Sequence, residues 1–238
     1  LFFVFIKKIL NSHTPLLVFL ALFVGLFPFI YVIIQGSTLH DGWRHLIFGY
    51  TGIVVMGALA WNTLFQMFKG NKTVTYVIAG ILGLTALESG AFIAQNHNYP
   101  YLYFNTISGG INGAYGSYET DYWGVSLKQA IDWMDEQGII STELEEPINL
   151  VSNFSYNLNK YINKKYQGKV KTGYTRYRQR YDKHWDYGLF LTRFVRGTHI
   201  KEGVYPPKSS VVHTIESNGV PLVVILKNDD DKASRGVQ

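Results

Sequence analysis

The chain has 238 residues, no cysteine and a formal net charge of +5, room for one ordinary domain and a few membrane spans. The absence of thiols excludes disulfides, thiolate metal sites and a cysteine nucleophile. Mean hydropathy is near neutral at +0.03, but it averages two unlike parts. Residues 1–95 carry only Lys7, Lys8, Asp41, Arg44, Lys69, Lys72 and Glu88 as formal charges. Beyond them seventeen basic residues face fifteen acidic ones, a balance that gives no electrostatic case for nucleic-acid binding.

In chain order, Leu1 to Ile6 reads as the tail of a span that ends at Lys7 and Lys8. It lacks the basic start and small-residue cleavage site of a signal peptide, so the chain is expected to open inside a span of a longer protein. Leu16 to Ile34 is uncharged for long enough to cross a hydrocarbon core of about 30 Å. Pro28 inside it can kink the helix without breaking it. Leu46 to Phe68 and Thr73 to Ala94 follow as two further spans, separated by the turn Lys69-Gly-Asn-Lys72. Gly80, Gly83 and Gly90 are expected to allow close packing of the last span. Lys7, Lys8, Lys69 and Lys72 fall on one side of the bilayer, which the positive-inside rule assigns to the cytoplasm. The loop Gln35 to His45, and everything after residue 95, is then expected outside.

The second part, residues 96–238, opens on an aromatic, glycine-rich stretch from Tyr99 to Trp123. Ser126 is the expected N-cap of a helix reaching about Gln137, with Leu127, Ala130, Ile131 and Met134 on its apolar face and Gly138 as its stop. Ile148–Ser152 as strand, Tyr156–Lys165 as helix and Lys169–Tyr174 as strand make a βαβ unit, whose natural product is a parallel sheet. Tyr187–Phe194 is a third strand. Val211–Glu216 and Val220–Lys227 flank Ser217-Asn-Gly, a hairpin signal because Asn-Gly suits a primed turn. The expected architecture is a multi-pass α-helical membrane segment followed by a small α/β soluble domain, made of that βαβ unit and a C-terminal β-hairpin. The charged tail from Asn228 is expected to fray.

Chemistry concentrates in the outer loop Ser37-Thr-Leu-His-Asp-Gly-Trp-Arg-His45. Arg44 at the mouth of a helical bundle can hold a phosphate through charge-assisted bidentate bonds, with His45 adding donors. The competing reading is an interfacial anchor, with Trp43 at headgroup depth and Arg44 snorkelling to lipid phosphate. His40, Asp41 and His45 also have the donor types of a metal site, so a divalent metal stays open; no cofactor is expected. Asp41 and Glu88 are candidate cavity-facing carboxylates, since ionisable groups inside a bilayer usually face a cavity or a partner. Snorkelling is the alternative for Glu88.

Glu119 and Asp121, two residues apart, read either as a carboxylate pair or as loop and helix-capping acceptors. The run Arg176-Tyr-Arg-Gln-Arg180 reads as a solvated surface, with Asp182 and Asp186 close by. Asn71-Lys-Thr and Asn153-Phe-Ser match the glycosylation tripeptide, a pattern common by chance. His97, His184, His199 and His213 form no readable catalytic arrangement, and the glycines at 109, 110, 113 and 116 lack the strand-glycine-helix order of a nucleotide loop.

Two of these passages carry a resemblance. Ser37 through His45, continued by Leu-Ile-Phe48, resembles the loop-and-span segment of bacterial membrane glycosyltransferases related to the protein O-mannosyltransferases (glycosyltransferase family 39, GT-C architecture). His40 stands where those proteins usually have Tyr. Tyr99-Pro-Tyr-Leu-Tyr-Phe-Asn-Thr-Ile-Ser-Gly-Gly110, with Gly113 through Gly124, is similar to the segment after their last span. Gly203-Val-Tyr-Pro-Pro-Lys208 and Asn218-Gly-Val-Pro-Leu222 resemble the end of such chains.

The resemblance implies an integral membrane enzyme of the bacterial inner membrane, its C-terminal domain on the periplasmic side. Such an enzyme moves a sugar from a polyprenyl-phosphate donor to an acceptor that the residues do not identify. It implies Arg44, with Trp43 and His45, at the donor phosphate, and a catalytic carboxylate in an earlier outer loop outside this chain. The implied partners are the lipid-linked sugar and the bilayer, without nucleic acid. The rival expectation is a non-catalytic membrane-anchored binding or scaffold protein built on the same terminal domain.

Overall fold

The computed structural model describes residues 7, 11, 15–39, 45–166 and 168–228. The chain divides into two compact units, Leu1–Ala86 and Leu87–Gln238. The division falls within the third long helix, earlier than the boundary at residue 95 that hydropathy suggests.

Among the described residues, three helices are long and apolar enough to cross a membrane: α1, Pro15–Gln35; α2, Gly49–Phe68; and α3, Lys72–Gln95. α1 runs unbroken through Pro28. α2 begins three residues later than its apolar run, because the backbone at 46–51 is held by i to i+3 bonds (Gly49 N to Leu46 O, 2.9 Å; Tyr50 N to Ile47 O, 3.1 Å). Asn71 opens α3, its side-chain oxygen accepting from Val74 N at 3.2 Å.

α1 and α2 pack through small residues. A Cβ on Gly52 would stand 2.4 Å from Gly25 N and 2.5 Å from Ala21 O, so no other residue fits there without parting the helices. Around Gly80, Gly83 and Gly90 on α3, no described residue lies within 4 Å of an added Cβ. Close approach needs small residues at one level on both helices, and Gly25 and Gly52 supply that. Along α1, Phe19, Phe23, Phe27 and Tyr31 stack at intervals of four, with centroids 6.2, 4.7 and 5.7 Å apart, and all four rings are exposed. Such a ridge suits hydrocarbon rather than water.

The second unit is a five-stranded mixed sheet with two helices on one face. Its elements are α4 (Gly110–Ala114), α5 (Val125–Glu136), β1 (Ile148–Ser152), α6 (Ser155–Lys165), β2 (Val170–Tyr174), β3 (Tyr187–Leu191), α7 (Gly197–Lys201), β4 (Val211–Ser217) and β5 (Val220–Lys227). The order across the sheet is β2-β1-β3-β5-β4. β1 pairs in parallel with β2 and with β3, whereas β5 runs antiparallel to both β3 and β4. The third strand is shorter than its apolar run, because Thr192–Phe194 tightens into a 3-10 turn. Asn218 and Gly219 take φ values of +48° and +78° in the hairpin turn, the left-handed pair that a primed turn requires.

The sheet's period of two sorts the core. Leu150, Leu189, Leu191, Val223 and Ile225 face Leu127, Ala130, Ile131 and Met134 of α5 and Leu158 and Ile162 of α6. The alternate residues Val151, Phe190, Val224 and Leu226 meet Tyr177, Trp185 and Tyr205 on the opposite face. Tyr205 sits within it, donating its hydroxyl to Phe190 O at 2.8 Å, 3.0 Å from Thr192 Oγ1. Burial pushes its ionisation far above the ordinary tyrosine value, and the Thr192 contact works weakly the other way.

The start of α5 differs from expectation. Ser126 lies inside the helix, and Gly124 holds the capping position with φ +64°, its α-carbon so close to Phe154 that a Cβ would come within 2.5 Å of the ring. The acceptor comes from farther back: the Asp121 carboxylate receives Val125 N at 2.9 Å, Ser126 N at 3.0 Å and the Ser126 hydroxyl. A charged acceptor at a helix N-terminus satisfies the orphan N–H groups better than a hydroxyl does, and it complements the helix dipole.

Candidate functional site

Of the residues singled out for the donor phosphate, Trp43 and Arg44 lie outside the described residues, as does Asp41. His45 is described; it is exposed, in the turn that precedes α2. Among the described residues no three His, Asp or Glu side chains converge as a metal site.

Glu88 is the sequence-selected residue for which the structure draws a site. It lies in the part of α3 that belongs to the second unit, where one carboxylate oxygen accepts from Thr106 N at 2.8 Å and Thr106 Oγ1 at 2.6 Å. Phe92, one turn on, meets the Tyr103 ring edge-on at 5.5 Å. These groups open onto a cavity of about 290 Å³, which Gln95, Asn112 and Asn218 also line.

The amides are held in place. Asn112 Nδ2 donates to Asn218 O at 3.5 Å, and Asn96 Nδ2 reaches Asn218 Oδ1 at 3.4 Å. Ser217 Oγ donates to Asn96 Oδ1 at 2.6 Å. The hairpin tip is thus tied to the end of α3. A carboxylate, three amides and aromatic rings around one cavity present donors and acceptors beside an apolar face, the chemistry that orients a small polar ligand. Sequence alone marked Glu88; Asn112 and Asn218 carry no local signal, since only the fold brings the hairpin turn here.

Glu119 and Asp121 do not form a carboxylate pair. Besides capping α5, Asp121 accepts from the Tyr101 hydroxyl. Burial first, and that bond second, push the Tyr101 ionisation far up. Glu119 instead meets Arg193 Nε at 3.1 Å, while Arg193 Nη1 donates to Tyr122 O at 2.6 Å and its guanidinium lies 3.9 Å from the centroid of the Tyr122 ring. Asn153, one of the two glycosylation matches, is buried. Its amide donates to Leu191 O at 2.9 Å and accepts from Leu191 N at 2.9 Å, so both ends are occupied.

The basic run divides by role. Arg180 is structural: it stacks on Tyr177 and Tyr181 at 4.1 and 4.3 Å and donates to Tyr177 O at 2.9 Å. Arg176 and Arg178 are exposed and line a second cleft with Arg196 and His199, of about 210 Å³. A run read as plain surface therefore contributes two residues to a concavity. Arg196 carries no signal of its own in the sequence. Neither a family model, nor a curated protein, nor a solved structure matches this chain.

Proposed function

We propose that this chain is the C-terminal part of an integral membrane glycosyltransferase that moves a sugar from a polyprenyl-phosphate donor to an acceptor. In this reading α1 to α3 span a bacterial inner membrane and the α/β unit stands on the periplasmic side. The observation that carries it is the Glu88 cavity. A fixed carboxylate, three amides and aromatic rings surround a space of about 290 Å³, just under the range of about 300–1,000 Å³ typical of ligand sites. That scale suits a sugar rather than a polyprenyl chain, and the residues stand near the C-terminal end of a helix apolar enough to cross a bilayer.

The chemistry follows from the donor. The leaving group is polyprenyl phosphate, so the charge that develops on its oxygens must be stabilised. Arg44, with His45 and Trp43, takes that role at the outer mouth of the spans. Glu88 serves as the cavity carboxylate that orients sugar hydroxyls. The general base that activates the acceptor comes, as in the resembling family, from a loop outside these residues.

The test is sugar transfer by the full-length protein from polyprenyl-phosphate sugars. Arg44→Ala should lower turnover by about 100- to 1,000-fold while resistance to proteolysis is retained. Wild-type turnover in that variant refutes the phosphate role, and absence of transfer by the wild type favours a non-catalytic binding protein. Because the chain has no cysteine, a single Lys183→Cys reports the side. A membrane-impermeant maleimide should label it in spheroplasts, and labelling only after lysis reverses the orientation.

A further inference from the structure

The parallel strands β1, β2 and β3 send their C-terminal ends to one edge of the sheet. β1 lies between the other two, so the chain leaves it through α6 to β2 on one side and then crosses back from β2 to β3 on the other. In open α/β sheets such a reversal opens a crevice outside the carboxyl ends of the strands, where ligands bind. Here the loop after β1 is fastened across the crevice by the two Asn153–Leu191 bonds. The loops after β2 and β3 then wall the cleft of about 210 Å³ described above.

Its charge is of one sign. Arg176, Arg178 and Arg196 line it with His199, and no Asp or Glu is among the lining residues. Arg176 donates from Nε to the Tyr174 hydroxyl at 3.2 Å. Among the described residues no carboxylate pairs with Arg178 or Arg196. Tyr177 is buried between Arg176 and Arg178 in sequence, its hydroxyl donating to Val204 O at 2.7 Å, so these two arginines are spaced by a fixed peg. A concave site lined by one sign of charge over low-dielectric walls concentrates counter-ions. Guanidinium forks match the oxygens of a phosphoryl group bidentately.

We infer that this cleft is a binding site for a phosphoryl group, carried by a small soluble phosphate ester or by a phospholipid headgroup. The volume sets the size: it lies below the roughly 300 Å³ at which drug-sized ligands begin to fit, so one compact anionic group enters rather than a nucleotide. The site is separate from the Glu88 cavity and does not depend on sugar transfer.

The test uses the full chain in nanodiscs of a phosphate-free galactolipid, titrated with inorganic phosphate and with glycerol 3-phosphate by calorimetry at physiological salt. Saturable binding is expected, weakened by roughly tenfold or more for each arginine lost in Arg178→Gln/Arg196→Gln, the factor that one charge-assisted hydrogen bond carries. Both arginines are exposed, so the double variant should keep the wild-type circular dichroism. Lys160→Gln/Lys164→Gln removes the same charge from α6 and should leave affinity unchanged. Adding phosphatidylglycerol to the discs separates the sources. Unaltered binding marks a soluble ligand, whereas occlusion in the wild type marks a headgroup. Absence of binding by either probe, or equal binding by wild type and the Arg178/Arg196 variant, overturns the inference.

Discussion

Asp121→Ala should destabilise the second unit by about 3–5 kcal/mol. The figure is worked from what the carboxylate holds: Val125 N, Ser126 N, the Ser126 hydroxyl and the Tyr101 hydroxyl. The two backbone N–H groups cannot turn elsewhere, and each left unsatisfied costs about 1–3 kcal/mol. The hydroxyls can rotate to other partners and add less, while loss of the negative charge at the N-terminus of α5 adds about 0.3–1 kcal/mol. A typical domain has about 5–15 kcal/mol in all, so the variant should sit close to unfolding. The assay is urea denaturation of the full chain in detergent, followed by tryptophan fluorescence and extrapolated linearly to water. Hydrogen exchange at residues 125–128 should lose protection in parallel. Glu119→Ala is the control: its carboxylate is half exposed, and Arg193 keeps the Tyr122 carbonyl and ring, so about 1 kcal/mol or less is expected. A loss for Asp121→Ala no larger than for Glu119→Ala would refute the capping account.

Asn153→Ala strands the N–H and C=O of Leu191, a fully buried residue, and should cost about 2–5 kcal/mol in the same denaturation; a cost under about 1 kcal/mol contradicts the bracing role. The same burial predicts no glycan mass at Asn153 when the chain is expressed in a glycosylating host. The ionisations of Tyr99, Tyr101, Tyr177 and Tyr205 are all raised, with burial the leading cause. Their contribution is therefore complete below the ordinary value of 10.0 and is lost as pH climbs beyond it, because the unfolded chain releases these protons first. Urea midpoints should fall between about pH 9 and pH 11, less steeply in Tyr205→Phe; a rising midpoint would reverse the sign. Gly52→Leu should separate α1 from α2. Leu17→Cys and Val55→Cys, placed on either side of their shared groove, should then crosslink poorly, and an undiminished yield would show that the crossing does not rest on Gly52.

Much of the fold was legible because it is written in local periodicity. The apolar runs of α1 to α3, the stripe Leu127, Ala130, Ile131 and Met134, and the Asn218-Gly219 turn each follow from spacing within one element. Errors arose where a distant group outcompetes a near one. Ser126 had the chemistry of a cap, but Asp121 brings a charge to the same N–H groups and is itself steadied by Tyr101, twenty residues away. The sites were less legible than the elements. Glu88 stood out by being charged in an apolar run, but Gln95, Asn112 and Asn218 are ordinary amides until the hairpin is laid beside them. Arg176 and Arg178 likewise read as surface until the loop after β3 brings Arg196 alongside.

The strand order has a consequence for biosynthesis. β5 follows the other four described strands in sequence, yet it lies inside the sheet, between β3 and β4, with Leu222 to Ile225 fully buried. While the ribosome is still producing the residues before Val220, β3 has an open edge and both layers of the core lack one wall. A chain at that stage cannot complete the unit, and an open strand edge invites pairing with a neighbour. Premature release upstream of β5 should therefore yield an aggregation-prone product rather than a smaller folded domain, which makes the final hairpin the step that commits the nascent unit to its native state.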